Sequence, residues 1–179
     1  MGTLRSRMTN DRAGYQQTIC GGEIPPELTA ASTSGRGSAA DDRIGVMDSV
    51  DVQVSGALLD EELNELHAAA FEHGLATMPW TDRLKRHSLT WVTARCESRL
   101  CGFVNVIGDG GAHAILLDTC VAPELQGHGI GRAVVRAAAY EAQRLGCHWL
   151  HADYEPELVT FYERACGMRS TAAGLLQLR

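Results

Sequence analysis

Long apolar runs, a secretory leader and an excess of basic residues are all missing from this sequence of 179 residues. Because no uninterrupted apolar stretch of about 18 residues occurs, we expect no membrane-spanning helix. The N-terminus has no basic patch followed by an apolar stretch, which a secretory signal requires. The formal net charge of −6 argues against a general nucleic-acid binder, which needs a basic face. These absences predict a cytoplasmic protein with neither a membrane nor a nucleic acid as partner.

Metal-ligand spacing is missing as well. No two cysteines stand in a C-x-x-C pair and no cysteine and histidine cluster has zinc-ligand spacing, so we expect no metal. Most cysteines lie in apolar stretches, which is typical of buried, reduced thiols. One pair flanks a predicted hairpin turn, where the two thiols can approach each other, although nothing requires a bond. The cysteines are Cys20, Cys96, Cys101, Cys120, Cys147 and Cys166, and the flanking pair is Cys96 and Cys101.

Composition divides the chain into a tail and one domain. Residues 1–46 contain seven glycines, one aromatic residue and equal numbers of arginines and acidic residues. Such a segment buries too little apolar surface to offset its chain entropy, so we predict that it is disordered. Regular hydrophobic patterning begins at Met47, and residues 47–179 have the length of a single domain.

Hydrophobic periodicity predicts the order of the elements in this domain. Val50, Val52 and Val54 alternate with polar residues, which indicates a first strand. Acidic residues from Asp60 open a predicted helix, where they favour the positive end of the helix dipole. Further strands are predicted over 89–96, 100–107, 112–121, 148–152 and, as one or two short pieces, 171–178; helices over 129–145 and 157–166; and a short helix or loop over 77–87. This order predicts an α/β domain of the α+β type, with a mixed sheet of about six to seven strands flanked by about four helices.

A glycine-rich turn lies between the predicted strand 112–121 and the helix 129–145. It reads Gln126-Gly127-His128-Gly129-Ile130-Gly131-Arg132. The unpaired N–H groups of a first helical turn and the helix dipole attract an anion, and glycines let the backbone approach a phosphate closely. The lysine and hydroxyl of a P-loop are absent, and the glycine spacing fails the dinucleotide fingerprint.

The turn and its surroundings resemble the GNAT superfamily of acetyl-CoA-dependent N-acetyltransferases. VAPELQGHGIGR, residues 121–132, is similar to the V-x-P-x-x-Q/R-x-x-G-x-G/A pyrophosphate loop of that family. A helix and a strand follow, and then Phe161-Tyr162-Glu163-Arg164-Ala165-Cys166-Gly167-Met168, which resembles the late Y-x-x-x-G-F segment. Two departures are present: Tyr162 and Gly167 are one residue further apart than usual, and Asp153-Tyr154-Glu155-Pro156 stands where many members have asparagine.

The resemblance implies a site for acetyl-CoA as co-substrate. The backbone of Thr119, Cys120 and Val121 would pair with the pantetheine arm, while Gln126, Gly127, His128, Gly129, Ile130, Gly131 and Arg132 would hold the pyrophosphate. The fourth and fifth strands would splay apart around the thioester, which an amine attacks directly without a covalent enzyme intermediate. The resemblance also makes a homodimer possible, because many members pair.

Two residues are candidates for catalysis. Tyr162 is the candidate acid for the departing thiolate, because a phenol with a pKa near ~10 is protonated at neutral pH; the alternative is a core aromatic. Asp118 is the one charged residue in an otherwise apolar strand. A carboxylate in such a strand needs a polar partner or a water-filled cleft. It would orient the amine or accept its proton through water, and the alternative is a structural hydrogen bond.

Other side chains carry weaker hypotheses. His128 is either a variable position of the loop or a phosphate contact, and His151 and Asp153 leave the fifth strand near the presumed cleft. Trp80 and Trp91 either line the acceptor side or fill the core, and the core is favoured for Trp91. The remaining candidates are assigned to surface or packing roles: His67, His73, His87, Cys120 and Met168.

Three functional interpretations remain. The first is an N-acetyltransferase that acts on a primary amine, for which we expect a small molecule. The second is a non-catalytic acyl-CoA-binding or sensing module. The third is a protein that binds a different phosphate ligand at the same glycine turn. The segments 72–90 and 153–160, expected to face the acceptor, carry no recognisable code.

Overall fold

The computed structural model describes residues 49–178; the predicted disordered segment 1–46 and Cys20 lie outside them. The described residues form one five-stranded sheet in the order β1-β2-β3-β4-β5. The strands are β1 (Val50–Val54), β2 (Thr90–Cys96), β3 (Arg99–Gly108), β4 (His113–Val121) and β5 (Trp149–Ala152). The helices are α1 (Asp60–Ala70), α2 (Trp80–His87), α3 (Ile130–Arg144) and a π-helix (Thr160–Ala165), with single 3₁₀ turns at Pro123–Leu125 and Pro156–Leu158.

The sheet confirms the predicted hairpins and the parallel unit. β1, β2, β3 and β4 pair antiparallel in sequence order, and β4 pairs with β5 in parallel through α3. Parallel neighbours need a crossover of this kind, because the chain must return to the same end of the sheet before the second strand begins. The segment 77–87, predicted as a short helix or loop, contains α2.

The helices cover both faces of the sheet. On β3, Phe103 contacts the Trp80 ring of α2 at 6.0 Å between centroids. A Cβ on the preceding residue, Gly102, would stand 2.8 Å from Ile130 of α3. Because successive strand residues point to opposite faces, α2 and α3 lie on different sides of the sheet. The core between these layers is apolar and includes the fully buried Val92 and Val134.

Two predictions about the end of the chain are wrong. The expected six to seven strands are five among the described residues, because 171–178 forms no strand. The apolar side chains of that segment, Leu175, Leu176 and Leu178, are exposed. The segment lacks period-two alternation and contains Gly174, and the neighbouring β5 has only four residues, so an added ladder would have few hydrogen bonds.

Within residues 49–178, no helix is long and apolar enough to cross a bilayer.

Candidate active site at the end of strand β4

Strand β4 carries a bulge at Asp118. On β3 the register runs from Phe103 opposite Cys120 to Asn105 opposite Leu117, so two β4 residues face one residue of β3. Asp118 has φ +54°, the left-handed region that a non-glycine residue enters only at a cost of about 1–3 kcal/mol. Bulges re-aim side chains and often lie beside functional sites. The bulge is therefore where a charged side chain leaves an otherwise apolar strand.

Strands β4 and β5 separate just before this bulge. Their pairing begins at His113 with Trp149 and ends at Leu116 with Ala152. Beyond Leu116, β4 continues to Val121 with no partner on its β5 side among the described residues. The backbone of Thr119, Cys120 and Val121 therefore lies on a part of β4 that β5 does not cover.

Three polar side chains surround the Asp118 carboxylate. Nε2 of His67 on α1 lies 3.5 Å from Oδ1, and an amino nitrogen of Arg83 on α2 lies 3.8 Å from Oδ2. The side-chain amide of Asn105 on β3 donates to Oδ2 at 3.4 Å. The carboxylate is about one-fifth exposed, so it is partly screened from water yet has access to it. These contacts fix the position of the Asp118 carboxylate and leave it partly open to solvent.

His67 connects the carboxylate to a second histidine. Its Nδ1 lies 2.7 Å from Nε2 of His73, and Nδ1 of His73 lies 2.7 Å from the carbonyl oxygen of Gly74. Burial lowers the pKa of His67 below its ordinary value; the charge of Asp118 opposes this shift, and those of His73 and Arg83 add to it. Sequence patterning assigned His67 and His73 to surface or packing roles, and the structure instead brings both into the site.

The buried Asn64 holds in place the segment that carries His73. Its Oδ1 accepts from the Met78 amide and from Nε1 of Trp80, both at 3.0 Å, and its Nδ2 donates to the Met78 carbonyl at 3.1 Å. Trp80 in turn lies 5.4 Å from the His67 ring. One side chain thus joins α1, the loop before α2 and the wall of the site.

Asn64→Ala should lower the free energy of unfolding by about 2–3 kcal/mol, because it leaves buried donors and acceptors without partners. Urea denaturation of the full chain measures this loss. Glu65→Ala on the exposed side of the same helix is the control and should change stability by less than about 0.5 kcal/mol. Equal stabilities for the two variants would contradict the role given to Asn64.

The glycine turn forms the second part of the site. Gly127 and Gly129 have φ of +78° and +91°, a region open to glycine without strain. The first bond of α3 runs from the Ala133 amide to the Gly129 carbonyl at 3.0 Å. The preceding amides, those of residues 127–132, donate to no acceptor among the described residues.

The bonds inside the turn hold its shape. The side chain of Gln126 donates to the Val121 carbonyl at 3.3 Å, and Nδ1 of His128 bonds to the Gln126 carbonyl at 3.0 Å. Arg132, in the first turn of α3, is exposed. Free amides at the start of a 15-residue helix, beside a cation, fit a diphosphate group. The side chains of Gln126 and His128 thus bond to backbone carbonyls of the loop itself. The amides of residues 127–132 are left free to bind a ligand.

Tyr162 projects from the π-helix toward the end of β4. It is buried and stacks on Tyr154 with ring centroids 4.6 Å apart. Burial raises the pKa of its phenol, and hydrogen bonding with the Thr119 side chain partly offsets that rise. The phenol therefore stays protonated at neutral pH, next to the residue that follows Asp118.

The π-helix explains the extra residue between Tyr162 and Gly167. The Cys166 amide bonds to the Phe161 carbonyl at 3.0 Å, five residues back, so one residue more than in an α-helix fits into the turn. Phe161 packs on α3, where a Cβ on Gly131 would stand 3.1 Å from its ring. The insertion is thus absorbed locally, and the helix still packs closely on the start of α3.

The remaining sequence candidates have other surroundings. Cys120 is buried and its thiol pKa is raised by burial, which fits packing. His151 stacks on His113 with a 2.8 Å contact between ring nitrogens, on the paired part of β4 and β5. Cys96 and Cys101 are free thiols. The rest are exposed or partly buried without a contact to Asp118 in the described residues: His87, Trp91, Asp153 and Met168.

Comparisons with known proteins agree with this architecture. A family model described as "Acetyltransferase (GNAT) family" matches residues 57–168. An uncharacterized N-acetyltransferase, ycf52 of Pyropia yezoensis, is 28% identical over 68 residues, which cover 38% of this chain and 39% of that protein. The chain therefore spans well under two thirds of this curated relative's length.

Solved structures share the fold at low identity. A probable acetyltransferase from meticillin-resistant Staphylococcus aureus superposes with a TM-score of 0.60 at 20% identity, covering 72% of this chain and 99% of that one. The aminoglycoside N-acetyltransferase AAC(6')-Iy, solved with CoA, gives 0.60 at 16% identity, with coverages of 73% and 94%. Since the family model matches more than half of the sequence, this chain belongs to the GNAT acetyltransferase family.

Proposed function

We propose that this chain transfers the acetyl group of acetyl-CoA to a primary amine of a small molecule. The observation that carries the proposal is the row of unused amides at residues 127–132, located beyond the end of β4. A diphosphate supplies the acceptors that these donors lack. The family supports acetyl-CoA as the ligand, and the aminoglycoside enzyme of the same fold was solved with CoA.

Acetyl-CoA, when bound, supplies the activated acetyl group: the amine nitrogen bonds to the thioester carbon and the carbon–sulfur bond breaks. The protein's own part begins with binding. The amides of the glycine turn hold the diphosphate, and the unpaired side of β4 at Thr119 and Cys120 offers backbone groups to the pantetheine arm. The Val121 carbonyl already accepts from Gln126, so this residue contributes mainly the shape of the corner.

Two side chains then accept and donate the protons of the transfer. Asp118, together with His67, takes a proton from the acceptor ammonium so that the nitrogen has a free electron pair. Tyr162 donates its phenolic proton to the departing sulfur. Both residues border the separation of β4 from β5, Asp118 through the bulge and Tyr162 through Thr119. An acid and a base at the same cleft are what direct transfer requires.

The acceptor is proposed to be a small cationic amine. A cavity of about 280 Å³ lies between the first half of α1 and residues 75–79, in the stretch expected to face the acceptor. Its α1 side includes Asp60, Glu61 and Glu65, whose negative charge favours a cation.

Binding and turnover test the proposal separately. Acetyl-CoA should raise the melting temperature and bind in calorimetry, whereas ATP and NAD should not, because a ligand in excess of its Kd stabilises the folded state. A panel of small primary amines should then produce free thiol. Binding without thiol release from any amine would favour the non-catalytic module, and absence of binding would remove the proposal.

Asp118→Asn should lower kcat/KM at neutral pH about tenfold, since asparagine tolerates the left-handed backbone but cannot accept the proton. The acidic limb of the pH–rate profile should also move to lower pH, because the carboxylate raises the pKa of His67 and its removal makes that ring harder to protonate. Asp109→Asn, in the β3–β4 turn, is the matched control. An unchanged profile for Asp118→Asn would contradict its role as base.

A further inference from the structure

A guanidinium group with free hydrogen-bond donors lies beside the candidate base. The side chain of Arg83, on α2, is 36% exposed, and its amino nitrogen lies 3.8 Å from Oδ2 of Asp118. This distance exceeds that of a hydrogen bond, and Arg83 donates to no other acceptor among the described residues. An arginine is always charged in proteins and carries five donors. Arg83 therefore brings a positive charge and unused donors to the site.

The second arginine of α2 has the opposite arrangement. Both Nε and an amino nitrogen of Arg86 lie 2.8 Å from Oδ1 of Asp82, one helical turn earlier. Arg86 is thus paired within its own helix and points away from the sheet into solvent. Arg83 instead reaches from α2 toward β4, where its nearest anionic partner is the candidate base. The two side chains share one helix but differ in what they can bind.

Trp80 holds the guanidinium of Arg83 in position. Cζ of Arg83 lies 5.0 Å from the centroid of the Trp80 ring, an attraction that uses no hydrogen-bond acceptor. Trp80 is buried, and its Nε1 donates to Oδ1 of Asn64 at 3.0 Å, so the ring itself is fixed. A cation that is already held in place loses little side-chain entropy when it binds an anion. Arg83 is therefore prepared for a negatively charged group of a ligand.

The charges around Asp118 indicate what kind of ligand this is. In the proposed transfer, the acceptor ammonium approaches the same carboxylate that Arg83 faces. Two cations then share one carboxylate that is only about one-fifth exposed, and like charges a few ångströms apart repel each other. An acceptor with an anionic group of its own removes this conflict. Its anion binds Arg83 and its ammonium binds Asp118, so that each charge has neighbours of opposite sign.

We propose that the acceptor is an amino acid, whose carboxylate binds Arg83 while its ammonium meets Asp118. This inference rests on the proposed acetyl transfer and narrows its acceptor class. In an α-amino acid the nitrogen and a carboxylate oxygen are ~3 Å apart, which is similar to the 3.8 Å between Arg83 and Asp118. A phosphate ester holds its anionic oxygens further from the nitrogen.

The chemistry of arginine and the charge of the neighbouring cavity agree with this class. A guanidinium offers a carboxylate two parallel donors, which fixes the orientation of the bound group. Arg83 is thus a substrate-binding residue that places the ammonium at the base. The acidic cavity lined by residues 75–79 and the first half of α1 favours a cationic side chain on the amino acid.

Matched substrates measure the preference for a carboxylate. The natural L-amino acids are each compared with their carboxamide by kcat/KM for thiol release at saturating acetyl-CoA. For the best amino acid, the ratio of the two values should fall about 100-fold in Arg83→Gln. Arg83→Lys should recover part of that loss, because lysine keeps the charge but lacks the planar fork. Arg86→Gln is the control and should keep the wild-type ratio.

The ratio separates carboxylate binding from a general effect on catalysis. Loss of the Arg83 charge also changes the surroundings of Asp118 and His67, but the same base serves both substrates of a pair, so this effect cancels. Equal ratios in wild type and Arg83→Gln would overturn the inference and leave the acetyl transfer intact. Acetylation of simple amines but of no amino acid would do the same.

Binding decides the inference if no amine is acetylated, a result that would count against the acetyl transfer itself. In calorimetry, the CoA-loaded wild-type chain should bind at least one of the amino acids. Arg83→Gln should bind it about 100-fold more weakly, and Arg86→Gln should bind it as wild type does. Absence of amino-acid binding to wild type, or equal affinities for wild type and Arg83→Gln, would overturn the inference.

Discussion

Replacing Gly127 by valine should weaken acetyl-CoA binding about 100-fold, a change of ~2.7 kcal/mol. Gly127 has φ +78°, which a β-branched residue adopts only under strain. Relief of that strain would rotate the neighbouring amides away from the diphosphate, and hydrogen bonds to a charged group contribute about 1.5–3 kcal/mol each. Isothermal calorimetry of the full chain with acetyl-CoA measures the loss.

The chain offers a matched control for this substitution at Gly110. Gly110 has φ +76°, and a Cβ there, as at Gly127, would meet no atom within 4 Å. The two valine variants therefore carry similar backbone strain and should lose similar stability in urea denaturation. Only Gly127→Val should lose affinity, because Gly110 lies in the β3–β4 turn. Equal affinities for the two variants would mean that the glycine turn does not hold the ligand.

The periodic elements of this fold could be predicted because each leaves a local signal. Alternating valines mark β1, the acidic start marks α1, and the glycine turn marks the junction of β4 and α3. The spacing of the turn also identifies the family, since its backbone requirements restrict the sequence directly. The features that could be predicted are therefore those that depend on residues close together in the sequence.

The features of the site that escaped prediction depend on residues far apart in sequence. The bulge at Asp118 arises from its register with β3, and the strand sequence itself is continuous. His67 precedes Asp118 by about fifty positions and meets it only because α1 packs on the sheet. The longer spacing from Tyr162 to Gly167 was visible, but only the structure reveals that a π-helical turn absorbs it.

Tyr162→Phe should lower kcat about 100-fold, the lower end of the effect of losing a general acid. Phenylalanine keeps the buried ring and its stack on Tyr154, so the Kd for acetyl-CoA should change by less than about twofold. Thiol release at saturating acetyl-CoA gives kcat, and calorimetry gives the Kd. Tyr140→Phe, on an exposed residue of α3, is the control and should behave as wild type.

The pH dependence separates proton donation by Tyr162 from simple packing. The phenol must be protonated to donate, and burial raises its pKa above the ordinary value, so wild-type activity should fall only at strongly alkaline pH. Tyr162→Phe should lose that alkaline limb together with the rate, because no phenol remains to ionise. Thr119→Val keeps the phenol but removes a hydrogen bond that lowers its pKa, so its alkaline limb should move to higher pH. A Tyr162→Phe enzyme with a normal kcat and alkaline limb would show that the sulfur receives its proton from another donor.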